Sequence, residues 1–201
     1  MIFPRPQLRV QHSEPAILAL LDAGQLAEAA SAIVRGLGPE LFGYIFQVVR
    51  DEDAAREIFA RFSEQLWRAL PRFRRASTVR TWAYSLAWNC VAGHFRDTFR
   101  RKARPLEWLP ISREVQAVCS TRSVERRDHV DRLGRLRAHL SAEERTLLVL
   151  RYDRDLGWDE IAEVLGRDGD EEVTAAALRK RFERLKLRLR QLITAEQTAA
   201  P

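Results

Sequence analysis

Ala55-Arg-Glu-Ile-Phe-Ala-Arg-Phe-Ser-Glu-Gln-Leu-Trp-Arg-Ala69 is the stretch that decides the fold. Ala55, Ile58, Phe59, Phe62, Leu66 and Ala69 recur at steps of three and four, which puts them on one stripe of an amphipathic helix, while Arg56, Glu57, Arg61 and Glu64 fall outside it. Pro71 ends that helix, because it has no N–H to continue the hydrogen-bond ladder.

The flanks carry the same period. Downstream, Val79, Trp82, Leu86 and Cys90 form one stripe and Tyr84, Trp88, Val91 and Phe95 a second, so this helix is expected to be contacted on two sides. The second stripe is open to two readings: a platform on which bases stack, or a face packed on the N-terminal helices. Upstream, Ala16–Leu21 and Leu26–Leu37 predict a pair of helices with Gly36 and Gly38 as stops, and Leu41, Ile45, Val48 and Val49 predict a further one. Between Ala103 and Arg122 the period fails, with Pro105 and Pro110, and the segment reads as a linker.

Helical signals then resume. Val130, Leu133, Leu136 and Leu140 restart a helix, and Ser141-Ala-Glu-Glu144 has capping-box spacing, so a new helix is expected from Ala142 to about Tyr152. Trp158, Ile161, Ala162 and Leu165 give a two-turn helix stopped by Gly166. Leu178, Phe182, Leu185, Leu189 and Leu192 form one apolar seam on a long helix with basic flanks. A short helix, a turn and a longer basic helix is the layout of a helix-turn-helix. No strand-like alternation of useful length is present, so the expected class is all-α: two small helical domains joined by a linker.

Composition narrows the function. The 201 residues include 34 Lys and Arg, nearly all Arg, against 28 Asp and Glu, a formal net charge of +6. Arg suits phosphate and bidentate base contacts better than Lys. The excess is local: Arg72–Arg104 holds nine basic residues against one acid, and Arg179–Arg190 seven against one. One such run is often only a solvated helix face, but two in a small and otherwise balanced chain point to nucleic acid. There is no apolar run of the roughly 20 residues needed to cross a bilayer, and Met1–Val10 lacks the pattern of a secretory leader. Cys90 and Cys119 have neither disulfide-framework nor zinc spacing, which fits a reducing cytoplasm.

Catalytic spacings are missing: Gly-x-Ser-x-Gly, His-Glu-x-x-His and a phosphate-binding Gly-rich loop before Lys are all absent. The four histidines are dispersed. Asp153-Arg-Asp155-Leu-Gly157-Trp-Asp159 has a trace of a calcium loop, but Gly157 and Trp158 occupy the places of a third ligand and the turn glycine. Asp168-Gly-Asp170-Glu-Glu172 reads as a turn feeding acids into the positive end of a helix. The expectation is a non-enzymatic protein with no metal and no cofactor.

Two motifs resemble a known family. Leu140-Ser-Ala-Glu-Glu-Arg-Thr-Leu-Leu-Val-Leu-Arg-Tyr152 with Leu156-Gly-Trp-Asp-Glu-Ile-Ala-Glu-Val-Leu-Gly166 is similar to the C-terminal promoter-binding domain of bacterial sigma-70 family RNA polymerase sigma factors. Phe73, Thr78-Val-Arg-Thr-Trp-Ala-Tyr-Ser-Leu-Ala-Trp-Asn89 and the basic Phe95–Arg104 resemble the family's region 2. With only these two domains, the chain resembles the extracytoplasmic-function group.

The resemblance implies a division of labour. Residues 1–38 would be an N-terminal helical extension, 39–103 the region 2-like domain, 104–123 the linker and 124–195 the region 4-like helix-turn-helix domain. The helix Ala55–Trp67 would dock on core RNA polymerase: Glu57 matches the family's acid, Ala60 and Arg61 stand where Gln and Glu are usual, and Glu64 and Arg68 offer polar contacts beside them. Trp82 and Asn89 would help melt and hold the minus-10 element, with Arg74–Thr78 as the loop that captures a flipped base. Arg74, Arg75, Arg80, Trp88, Arg96, Arg100 and Arg101 complete that candidate surface. Arg179, Lys180, Arg181 and Arg184 would face the minus-35 major groove. About six residues beyond the family pattern follow Gly166, so either the turn is enlarged or the last helix begins near Asp170. The implied partners are core RNA polymerase, promoter DNA and an anti-sigma factor, with no membrane insertion and a cytoplasmic location. A rival reading is a free-standing helix-turn-helix regulator whose N-terminal bundle senses a ligand or dimerises.

Overall fold

The computed structural model describes residues 14–96, 112–121, 139–166 and 173–199, and all regular structure among them is helical. The N-terminal bundle comprises α1 (Glu14–Asp22), α2 (Leu26–Val49), α3 (Glu52–Ala69), a 3-10 turn (Leu70–Arg72) and α4 (Val79–Arg96). After it come α5 (Ser112–Thr121), α6 (Ala142–Leu148) with a wide π-type turn (Val149–Asp153), α7 (Trp158–Gly166) and α8 (Ala175–Ala199). No helix among the described residues is long and apolar enough to cross a membrane.

The centre of the molecule is α2, which packs against α1, α3, α4, α5 and α6. Its buried residues, among them Ala29, Ile33, Leu37, Leu41, Tyr44, Ile45 and Val48, occupy nearly its whole circumference, as expected of a helix enclosed by others. The expected stops at Gly36 and Gly38 do not stop it. One helix runs through both glycines and through Pro39, and the 38/39 domain boundary falls inside it. A proline inside a helix costs about 3 kcal/mol, and burying one or two side chains the size of Leu41 and Ile45 offsets that, at about 1.5–3 kcal/mol each. Gly38 serves close packing: a Cβ there would sit 3.0 Å from Val118 Cγ2 and 3.3 Å from Phe59 Cζ. Gly24, at φ +71, is the glycine that turns the chain between α1 and α2.

The signals of α3 are realised as read. Asp51 Oδ1 accepts from the Ala54 N–H at 2.7 Å as N-cap, the stripe Ala55, Ile58, Phe59, Phe62 and Leu66 is buried, and Pro71 converts the end to a 3-10 turn. Phe59 meets Phe42 edge-on at 5.6 Å, which locks α3 to α2.

The linker reading needs correction. Ser112–Thr121 forms α5, which packs on α2 and α3 with Val115 and Val118 buried and Glu114 paired to Arg35 at 3.0 Å. Two apolar positions carry the docking, too few for the helical period to show in the sequence. Residues 122–138, including Val130, Leu133 and Leu136 of the expected helix, lie outside the described residues, as do 167–172 with the Asp168–Glu172 turn.

In the C-terminal unit the capping box at Ser141 and Glu144 is complete, with both reciprocal bonds present (2.7 and 3.1 Å). The last helix does not begin near Asp170. It begins at Ala175, where the Thr174 hydroxyl accepts from the Ala177 N–H at 3.2 Å. Leu178, Phe182 and Leu185 are buried, and Phe182 meets the Trp158 ring edge-on at 5.4 Å, clasping α8 to α7. The two units share one hydrophobic core, since α7 lies on α4 and α6 on α2.

Replacing Gly38 with Val is expected to destabilise the protein by about 1–3 kcal/mol through overpacking. Adding Val118→Ala should make the double variant more stable than the sum of the two single effects, a coupling readable from urea unfolding midpoints.

Candidate nucleic-acid interface

The N-terminus of α4 is built from three directions. The Thr78 hydroxyl accepts from the Thr81 N–H at 3.0 Å, and Glu14 of α1 accepts from the Val79 N–H at 2.8 Å, satisfying two of the orphan donors at the helix start. The chain before it, 73–78, is held by Phe73 on the Trp82 ring (4.7 Å between centroids) and by an ion pair from Arg75, in the left-handed region at φ 57, to Asp22. Arg72, Arg74 and Arg75 are exposed and form a basic lip beside α4.

The α4 residues themselves point mostly inward. Trp82 and Trp88 are 5% and 8% exposed, so their rings belong to the bundle core in this conformation. Of the two readings of the second stripe, packing prevails for Tyr84, which is fully buried and meets Tyr44 edge-on at 5.4 Å; Phe95, at the end of the stripe, is exposed. Asn89 is half-buried, and its Oδ1 has no hydrogen-bond partner. Arg96 is exposed, and Arg100 and Arg101 lie outside the described residues.

Arg80 is the main departure from the sequence-based picture. Its guanidinium is turned inward to Glu40 of α2 (Nε to Oε1 3.2 Å, with a second, shorter contact from Nη2), and Nη2 also donates to the Arg154 carbonyl at 2.8 Å. The Tyr84 hydroxyl donates to the same Glu40 oxygen at 2.8 Å. Burial works against the Arg80 charge, but the bond and proximity to Glu40 outweigh it and hold its pKa above the ordinary arginine value. Nothing in the local sequence announces Glu40 as the partner, because it lies 40 residues away on another helix.

Two phenols are trapped around this hub. Burial pushes the Tyr84 hydroxyl well above the usual tyrosine range, with Arg154 opposing and Glu40 reinforcing the shift. Burial likewise raises Tyr44, with Thr146 on α6 acting in the opposite sense. The Tyr44 and Thr146 hydroxyls are both buried and lack a partner of good hydrogen-bond geometry, at a cost of about 1–3 kcal/mol each.

On α8, Arg179, Lys180, Arg181 and Arg184 are all exposed while Leu178, Phe182 and Leu185 face the core, so the four cations share the outer side of the helix. Two further cations of the run, Lys186 and Arg188, serve structure. Arg188 bonds both carboxylate oxygens of Glu144 (2.8 and 3.1 Å) and the His139 carbonyl, and Lys186 pairs with Glu183 at 2.7 Å. On α3, Glu57 pairs with Arg61 and Glu64 with Arg68, one turn apart on the outer face. Ala60 is buried, 8% exposed, and so adds little area to that face.

Among the described residues the arrangement is all-helical, with a basic lip at the start of α4 and exposed cations on the outer side of α8. Residues 33–104, from the middle of α2 through α4 and beyond, match the family model described as Sigma-70 region 2, a match that supports a sigma-70 family sigma factor. No curated protein matches the chain.

The trapped phenols set the alkaline behaviour. Their folded-state pKa values lie above the unfolded value near 10, so the unfolded chain loses its protons first and stability falls as pH rises past about 10. The slope is about 1.4 kcal/mol per pH unit for each tyrosine. Urea unfolding between about pH 9 and 11 should show Tyr44→Phe and Tyr84→Phe each removing one share of that slope.

Proposed function

We propose that the protein is a sigma factor of the extracytoplasmic-function group. It binds core RNA polymerase, recognises the minus-10 and minus-35 promoter elements and promotes DNA melting, without making or breaking a covalent bond itself. The observation that carries the reading is the region 2 match over α2–α4, joined in one chain to a helix-turn-helix whose second helix exposes Arg179, Lys180, Arg181 and Arg184.

The roles follow from placement. The paired charges Glu57, Arg61, Glu64 and Arg68 on α3 offer core polymerase a rigid polar face. Arg72, Arg74 and Arg75 lie where single-strand phosphates would pass on their way to α4. Base capture falls to the 73–78 segment and Asn89, and opening a base step there costs a few kcal/mol that stacking and Arg contacts offset. Arg179, Lys180 and Arg181 read or hold the minus-35 duplex, a bidentate Arg–guanine pair contributing about 1–3 kcal/mol of discrimination. The working location on this reading is the cytoplasm.

The decisive experiment adds the purified chain to sigma-free core polymerase. Retention on the polymerase and transcription from a cognate promoter support the proposal. Tight binding of duplex DNA with no retention on polymerase would favour the free-standing regulator instead. Replacing Arg179 and Arg181 with Ala should weaken minus-35 duplex binding and lower its salt slope by about one unit per lost phosphate contact, while permanganate reactivity of a pre-melted start site stays unchanged.

A further inference from the structure

The region 2 match begins at residue 33, so α1 (Glu14–Asp22) lies outside it. This helix nevertheless grips the stretch proposed to capture a base at two points. Glu14, its first residue, accepts from the Val79 N–H at 2.8 Å, and Asp22, its last, pairs with Arg75. The two run antiparallel: the start of α1 meets the end of the segment, and the end of α1 meets its middle. Their lengths agree. Eight rises of about 1.5 Å put Glu14 about 12 Å from Asp22 along the helix, and the four residues from Arg75 to Val79 reach at most about 14 Å.

Asp22 is not explained by α1 alone. It sits on the last turn, where the negative end of the helix dipole disfavours an anion, and Arg75 supplies the compensating charge. A helix of nine residues is too short to persist unaided in water. Packing fixes it instead: Ile17 is 2% exposed, and Leu18, Leu20 and Leu21 lie against the core. That anchorage makes α1 a fixed rail beside the segment.

The segment needs such a support. Arg75 is held at φ 57, a left-handed conformation that a residue with a Cβ disfavours. It lies between two end ties, Phe73 on the Trp82 ring and the Thr78 hydroxyl on the Thr81 N–H. The Ser77 hydroxyl oxygen is buried and has no hydrogen-bond partner, so a hydrogen-bonding position is left over in the stretch where a base would be held.

We propose that α1 belongs to the promoter-reading unit: Asp22 and Glu14 are positioning residues that hold the 73–78 segment in the conformation that receives a flipped base, and so set how well one base is told from another. The reading role rests on the sigma-factor proposal; the grip of α1 on the segment does not.

The test uses the full chain and three variants. Asp22→Arg sets a cation against Arg75, and Glu14→Gln weakens the acceptor at Val79 with little change of shape; one suffices if the other loses helix content by circular dichroism. Glu28→Arg makes the same charge change as Asp22→Arg at an exposed position of α2, so it reports the general attraction of added positive charge for DNA. Hydrogen–deuterium exchange of peptides covering residues 73–80 should be about fivefold faster in Asp22→Arg and Glu14→Gln than in wild type and Glu28→Arg, a change within reach of an exposed ion pair. Single strands of about 12 nucleotides, selected from a random pool by the wild-type chain on core polymerase, define the preferred sequence. Each protein's affinity for that strand, divided by its affinity for a scrambled one, measures base discrimination. The ratio should fall about fivefold in Asp22→Arg and Glu14→Gln and keep its wild-type value in Glu28→Arg, with equal polymerase retention in all four proteins. Unchanged exchange in both Asp22→Arg and Glu14→Gln, or faster exchange with a ratio no lower than that of Glu28→Arg, overturns the proposal. Faster exchange in a protein whose wild-type chain is not retained on polymerase, or selects no sequence there, overturns the sigma-factor reading and leaves the grip of α1 standing.

Discussion

The enclosure of α2 is the constraint on which the rest of the molecule depends. A helix with almost no water-facing stripe can exist only if other helices cover every side, and here five of them do. That requirement explains why a helix persists through two glycines and a proline, why Gly38 is kept without a side chain, and why α5 returns to cover a face that the N-terminal bundle leaves open. The hydrophobic gain from the central helix exceeds the local penalties within it, so propensity is overruled.

Glu40 converts this packing into electrostatics. Seated on the half-covered side of α2, it gathers Arg80 and Tyr84 around one carboxylate and thereby sets where the C-terminal unit can rest. A charged hub of this kind specifies geometry more than it stabilises, because removing charges from water costs several kcal/mol per ion and attraction only partly offsets that. The partners of the hub come from α2, α4 and the turn before α7, so a change in one unit is felt in the other. The basic surface therefore has two populations of cation. Arg72, Arg74, Arg179, Lys180 and Arg181 face solvent, while Arg80 and Arg188 hold helices together.

Much of this was legible in the chain. Periodicity identified α3, α4, α7 and the buried seam of α8, and the capping box identified α6, since each depends on contacts three or four residues apart or on a start within one turn. The capping box at Ser141 and the proline stop at Pro71 are of the same local kind. The candidate minus-35 row was readable because Leu178, Phe182 and Leu185 fix which side of α8 is buried, and the opposite side follows by geometry. The misreadings share one cause. Gly36 and Gly38 as stops, 103–122 as a bare linker and Arg80 as an open cation were all judged from neighbours in sequence, whereas their surroundings come from residues tens of positions away.

The order of residues alone thus settled that the chain is helical, which face of most helices is apolar, and that its positive charge is gathered in two places. Folding in three dimensions decided which cations face solvent, which aromatic rings are core, and that the two units lie against each other. The division has a physical reason: helix periodicity and capping act within one turn of chain, but burial and ion pairing depend on which distant side chains arrive in the same place, and only the folded chain brings Glu40, Arg80 and Arg154 together.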